Sequence, residues 1–200
     1  YYLVPQASVE EIVEEILTGL SWVCETAMSR GSKGVVLAGW SAGGQLVIQA
    51  LSCWPTTGRM SKFSSIKIPA LDDVRQLFQG VVPVSGVFDM RPLVKTYVNQ
   101  PLKLTIDSAW ELSPLKCTSQ LREKWPQLHL LVAVGQHDSN EFQRQSKHYN
   151  QVCSESGLKS SLLIVPGADH FSIVEDLAVK ENVLTTKLTA FIKTSTTSTS

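Results

Sequence analysis

The chain carries no excess of either charge: Lys+Arg and Asp+Glu both number 18 in 200 residues, for a formal net charge of +0. That balance removes the electrostatic reason to expect nucleic acid or an anionic membrane as a partner. No apolar run approaches the ~20 residues that a bilayer-spanning helix needs. The four cysteines, at 24, 53, 117 and 153, form no Cys-x-x-Cys pair and no His-Cys group with zinc spacing. There is no HExxH, no GxGxxG and no phosphate-binding loop, so neither a metal site nor a nucleotide site is indicated. Asn-x-Ser/Thr acceptor sites are also lacking. Scattered thiols without such sites fit a reduced compartment, and the cytosol is the expected location.

What the chain does have is 43% hydrophobic and 18% charged residues, a composition that supports one globular domain with a proper core. That domain is expected over residues 1–193. Residues 194–200 hold only Thr and Ser and read as a disordered tail. The opening Tyr1-Tyr2-Leu3-Val4-Pro5 has no initiator Met and reads as the end of a strand entering a turn, so an N-terminally truncated chain is expected.

Ser8 followed three residues later by Glu11 is a capping box. Val9, Ile12, Val13, Ile16, Leu17, Leu20 and Val23 then keep helical spacing, which predicts a helix to about Met28. Val35–Ala38 is apolar on both faces, as in a central parallel strand covered by helices. Similar runs follow at Gly80–Val84, Leu128–Val134 and Leu162–Val165, with Pro83 suggesting a bulge or a strand end. Helical patterns lie between them, notably Glu141–Cys153 and Val183–Ile192. Residues 86–127 carry little strand signal and suit small helices over a site. Strands alternating with helices define an α/β fold with a mostly parallel sheet.

The first of these strands runs into Gly39-Trp40-Ser41-Ala42-Gly43, directly before a helical pattern. Gly-x-Ser-x-Gly alone is weak, arising by chance in about one chain of this length in fifteen at average Gly and Ser usage. Its place between strand and helix is what a nucleophile elbow requires. The elbow holds Ser41 in strained backbone angles with its hydroxyl exposed, and small residues two positions either side let backbone approach. The helix that follows aims its first amides at any developing oxyanion.

A serine hydroxyl needs a base to take its proton and a carboxylate to orient that base. In this architecture they follow in the order Ser, Asp, His on later strand-end loops. Asp138 follows the Leu128–Val134 run and His170 follows the Leu162–Val165 run, at the carboxyl edge of the sheet. Asp169 and Asp89 compete with Asp138 for the orienting role. His129 falls within a strand, His137 on a loop and His148 on a polar helix, and none suits the base.

Beyond the elbow, "VSGVFDMRPL" from Val84, "PLKLT" from Pro101, "DHFSIVEDL" from Asp169 and "NVLT" from Asn182 resemble kynurenine formamidase, a branch of the α/β-hydrolase superfamily. The most specific run is "VGQHDSNEFQRQS" from Val134, and the resemblance extends from Tyr2 to about Ile192. It implies a cofactor-free hydrolysis of N-formyl-L-kynurenine to L-kynurenine and formate, in tryptophan breakdown. Ser41 would be the nucleophile, His170 the base, Asp138 the orienting acid and the Ala42 backbone N–H an oxyanion donor. Glu141 and Arg144 would brace the acid loop as an ion pair, with contact to the substrate as the alternative. The expected partner is a small-molecule substrate, with no nucleic acid or membrane, and with a homodimer left open as the assembly. A carboxylesterase-like hydrolase and a non-catalytic binding protein are the rival readings.

Two positions depart from the family, which often has His where this chain has Trp40 and Pro where it has Asn140. The family's His-Gly-Gly segment, the source of a second oxyanion donor, would lie before Tyr1. Loss of one such donor costs about 10²–10³ in kcat, and loss of early strands would leave the strand before Ser41 at an open edge. On that reading these 200 residues alone are expected to fold poorly and act weakly.

Overall fold

The computed structural model describes residues 2–197. In chain order its elements are α1 (Val9–Ser29), β1 (Val35–Trp40), α2 (Ala42–Ser52), β2 (Arg59–Met60), β3 (Lys67–Ile68), α3 (Leu71–Val74) and β4 (Phe78–Val84). A 3₁₀ turn at Arg91–Lys95 leads to α4 (Asn99–Leu102), α5 (Ile106–Glu111) and α6 (Thr118–Lys124). Then come β5 (His129–Gly135), α7 (Asn140–Glu155), β6 (Lys159–Val165), α8 (Ser172–Glu175) and α9 (Val183–Thr197). Residues 198–200 of the expected tail lie outside the described residues, and Thr194–Thr197 continue α9.

The capping box forms at the start of α1. The Ser8 hydroxyl accepts from the Glu11 N–H (3.2 Å), and the Glu11 carboxylate accepts from the Ser8 N–H (2.8 Å). Ile12, Val13, Leu17, Leu20 and Cys24 bury on one stripe, while Ile16 and Val23 stay half-buried. Glu14 is buried on the same helix, and Arg59 grips it through two hydrogen bonds of 2.6 Å. That ion pair, joined by the Lys62 N–H, holds the Glu14 carboxyl below its usual range and pins the β2–β3 hairpin to α1.

β1, β4, β5 and β6 form one parallel sheet in that order. Side chains alternate between its faces. Val81, Leu130 and Val132 join the core beneath α1, α2, α6 and α7, together with Trp54, Phe78 and Trp125. Val82, Val84, Leu131 and Ala133 pack on the other face against Ile173, Leu184 and Leu188 of α8 and α9. Burial on both faces is why the strands read as continuous apolar runs. β1 is an edge strand of this sheet, and Ala38 on it is exposed. A groove of about 620 Å³ runs between that edge and α1, lined by Ile16, Val23, Leu37, Val47 and Phe63 among others. None of the Ser41, Asp138 or His170 side chains lines it.

Three expectations change in detail. Tyr2–Leu3 takes no regular structure and Val4–Gln6 is a turn, while Tyr1 lies outside the described residues. Pro83 marks no bulge: the register shift falls between Val35 and Val36, opposite Phe78 and Gly80. Pro83 is one residue from the end of β4, where Ser41 N–H to Val84 O (2.9 Å) and Ser85 N–H to Ala133 O (2.8 Å) hold the strand despite its missing donor. β6 begins at Lys159, three residues before its apolar run, because an edge strand accommodates a half-buried Ser160 and an exposed Ser161. The segment after β4 holds short helices as expected, tied to α2 by Gln45 Nε2 donating to Leu112 O at 3.0 Å.

Candidate active site

Ser41 closes the turn from β1 to α2 with φ 54° and ψ −120°, a conformation that non-glycine residues rarely hold without surrounding constraint. The constraint is visible. A Cβ on Gly39 would stand 2.2 Å from the Gly43 carbonyl oxygen, and one on Gly44 would stand 3.0 Å from the Gly86 Cα. Gly43, which the sequence pattern pairs with Gly39, has open space where a Cβ would go. Gly44 is thus the second glycine that close packing demands. Ala42 opens α2, so its N–H lies among the first helical amides, which have no partner inside the helix.

His170 and Asp138 reach the serine from the loops after β6 and β5. His170 Nε2 is 3.1 Å from Ser41 Oγ, and His170 Nδ1 is 3.0 Å from Asp138 Oδ2. The Asp138 side chain is 1% exposed, and its other oxygen accepts the Ser139 N–H at 2.8 Å. A buried carboxylate facing Nδ1 favours the tautomer with the proton on Nδ1, leaving Nε2 as an acceptor towards Ser41. The two loops are laced together. The Gln136 and His137 N–H groups donate to Val165 O (2.9 Å) and Ala168 O (2.8 Å), and the Gly167 N–H donates to Gln136 Oε1 (2.9 Å). A Cβ on Gly135 would stand 2.5 Å from the Ala168 oxygen, so only glycine lets the loops lie this close.

The competing acids and His129 are engaged elsewhere, and the remaining histidines face solvent. Asp169 caps its own turn: Oδ1 accepts the Ser172 N–H (2.8 Å), the Phe171 N–H (2.9 Å) and the Ser172 hydroxyl (2.9 Å). The Ser172 and Phe171 amides hold its carboxyl below the usual range. Asp89 forms a two-pronged ion pair with Arg91 (2.8 and 3.0 Å), which lowers its pKa in turn. His129 lies against Phe191, with burial lowering its pKa, and His137 and His148 are exposed. Among the described residues no three His, Cys, Asp or Glu gather as a metal-binding cluster.

Glu141 and Arg144 do pair, at 2.6 and 2.9 Å on α7. Their neighbour Gln145 carries the longer reach: its Oε1 accepts the Phe88 and Asp89 N–H groups, and its Nε2 donates to Asp89 O and Glu141 Oε1. The acid loop itself is held by Gln143, whose Nε2 donates to Gln136 O (3.1 Å) and Asp138 O (2.9 Å). Sequence reading missed both glutamines, because a neutral amide gives no sign of its distant partners. Asn140 is the first residue of α7 after the N-cap Ser139, a position where Pro and Asn both fit the backbone. Trp40 stands at the mouth of the site, its indole N–H donating to the His170 carbonyl at 2.8 Å.

The chain belongs to the α/β-hydrolase fold family, whose description matches residues 1–173. Among solved structures, esterase B from Lactobacillus rhamnosis shares this fold, with a TM-score of 0.67 at 19% identity over 98% of this chain and 64% of its own. Curated relatives are kynurenine formamidases. That of Danio rerio is 35% identical over 189 residues, covering 94% of this chain and 58% of the relative. That of Salmo salar is 34% identical over 179 residues, covering 88% and 55%. The chain therefore spans little more than half the length of these relatives.

Proposed function

We propose that Ser41, His170 and Asp138 form the catalytic triad of an arylformamidase that cleaves N-formyl-L-kynurenine to L-kynurenine and formate. The observation that carries this reading is the unbroken chain from Ser41 Oγ through His170 to Asp138 Oδ2 at 3.1 and 3.0 Å. It occurs in a chain 35% identical to a kynurenine formamidase.

Ser41 Oγ attacks the formyl carbon as His170 Nε2 takes its proton. Asp138 holds the imidazole and stabilises its positive form. The carbonyl electrons move onto oxygen, where the Ala42 N–H donates to the oxyanion. On collapse the C–N bond breaks, and His170 gives the proton to the departing aniline nitrogen. A formyl ester remains on Ser41. Water, deprotonated by His170, attacks that ester and releases formate, and the proton returns to Ser41.

Elbow and triad serve amides and esters alike, so the test compares them. The full-length protein is given N-formyl-L-kynurenine and, separately, a short-chain aryl ester, each beside a Ser41→Ala control. Ser41-dependent kynurenine release well above ester turnover supports the formamidase. Ester cleavage without kynurenine release moves the protein among the esterases. No Ser41-dependent turnover of either substrate by a folded sample overturns the catalytic reading.

A further inference from the structure

We infer that Trp40 and Phe171 form the subsite for the leaving group and select an aromatic one. The inference rests on the assignment of Ser41 as nucleophile and His170 as base. His170 Nε2 must reach both Ser41 Oγ and the atom that departs, because the proton taken from one is given to the other. The leaving group therefore lies on the His170 side of Ser41, whatever acyl group is transferred.

That side is aromatic. Trp40 immediately precedes the nucleophile and Phe171 immediately follows the histidine, and their ring centroids lie 5.2 and 5.5 Å from the imidazole. The two rings meet edge to face, 5.8 Å apart at 65°, so they present two apolar walls at a steep angle. Both remain open to solvent, Trp40 at 37% and Phe171 at 59% exposure. Phe142 packs on the imidazole with centroids 4.4 Å apart.

The Trp40 wall is also fixed. Its side chain is anchored by the hydrogen bond to the His170 carbonyl, while of Phe171 Asp169 holds only the backbone N–H. The indole N–H is already used there, so Trp40 offers a departing group only its ring surface. Asp169, the acid next to His170, is committed to its own turn and does not favour a cationic leaving group. A planar ring gains edge and face contacts on such walls that an alkyl group of similar area does not. The site thus chooses substrates by what leaves: aryl amides and aryl esters ahead of alkyl ones.

The test measures kcat/KM of the full-length protein for phenyl acetate and trifluoroethyl acetate. Their ratio is compared across wild type, Phe171→Leu, Trp40→Leu and Trp40→Phe, so that intrinsic reactivity cancels. Phe171→Leu and Trp40→Leu are expected to lower the phenyl-to-trifluoroethyl ratio about two- to tenfold, the size of one lost aromatic contact. Trp40→Phe keeps a ring but loses the anchor, so it lowers both rates alike and leaves the ratio standing. The Phe171 side chain is largely exposed, so its variant reports even where Trp40→Leu fails to fold. An unchanged ratio in Phe171→Leu, with Ser41-dependent turnover of both esters, overturns the subsite and leaves the triad intact. Loss of Ser41 dependence for both esters and for N-formyl-L-kynurenine overturns the triad and the subsite with it.

Discussion

Gly135→Ala adds one methyl group at the point where the acid and histidine loops touch. Its Cβ would stand 2.5 Å from the Ala168 oxygen and 2.9 Å from the Asp169 oxygen, both backbone atoms that cannot rotate away. Reaching ordinary contact requires the two loops to part by about 0.9 Å. The Ala168 carbonyl also accepts the His137 N–H at 2.8 Å, so this separation strains the bond that laces the loops. His170 sits two residues beyond Ala168, and its bonds to Asp138 and Ser41 are 3.0 and 3.1 Å. A shift of that size takes both past good hydrogen-bond length. Overpacking of this kind costs about 1–3 kcal/mol in stability, and misplacing catalytic groups by close to 1 Å costs about 10² in rate. Stability is read from thermal unfolding, and serine reactivity from the labelling rate with a fluorophosphonate, which does not depend on the natural substrate. Wild-type labelling and an unchanged melting temperature would refute the claim that the Gly135 contact sets the geometry of Ser41, His170 and Asp138.

Other perturbations probe separate parts of the molecule. Glu14→Gln removes the charge held by Arg59 and is expected to cost about 2 kcal/mol at neutral pH. The folded pKa of Glu14 is lowered, so the wild-type advantage is full above the ordinary Glu value of about 4.3. It fades as pH falls through the lower folded value, and denaturant melts that show no such convergence at acid pH contradict this. Gln145→Leu leaves the Phe88 and Asp89 amides without their acceptor and is expected to destabilise by about 2–4 kcal/mol, read from urea unfolding. Burial raises all four thiols, Cys24 and Cys153 to about 12 and Cys117 to about 11, but only Cys53 is exposed, so alkylation of the native protein should modify Cys53 first. Equal labelling of all four, mapped by peptide mass, would show that the core opens.

Much of the fold was legible because local and global signals agree. The Ser8–Glu11 box starts α1 where the apolar stripe begins, and four apolar runs became the four parallel strands. That Ser41, Asp138 and His170 would come together was readable from one rule, that each ends or follows a strand on the same edge of the sheet. What was hidden depends on contacts distant in sequence. Gly44 rather than Gly43 is tight because Gly86 passes over it, and Gln145 matters because the chain after β4 returns to α7. The polar start of β6 escaped notice because an edge strand need not be apolar. The contact between Trp40 and Phe171 joins residues that no spacing rule pairs.

If Ser41, His170 and Asp138 act as one unit, their losses cannot add. The most direct measurement is kynurenine release from N-formyl-L-kynurenine by the full-length protein, comparing Ser41→Ala, His170→Ala and the triple variant that adds Asp138→Ala. The account predicts that either single change falls to the same floor as the triple. Losses that multiply from one variant to the next, or kynurenine release that survives in Ser41→Ala, would contradict it.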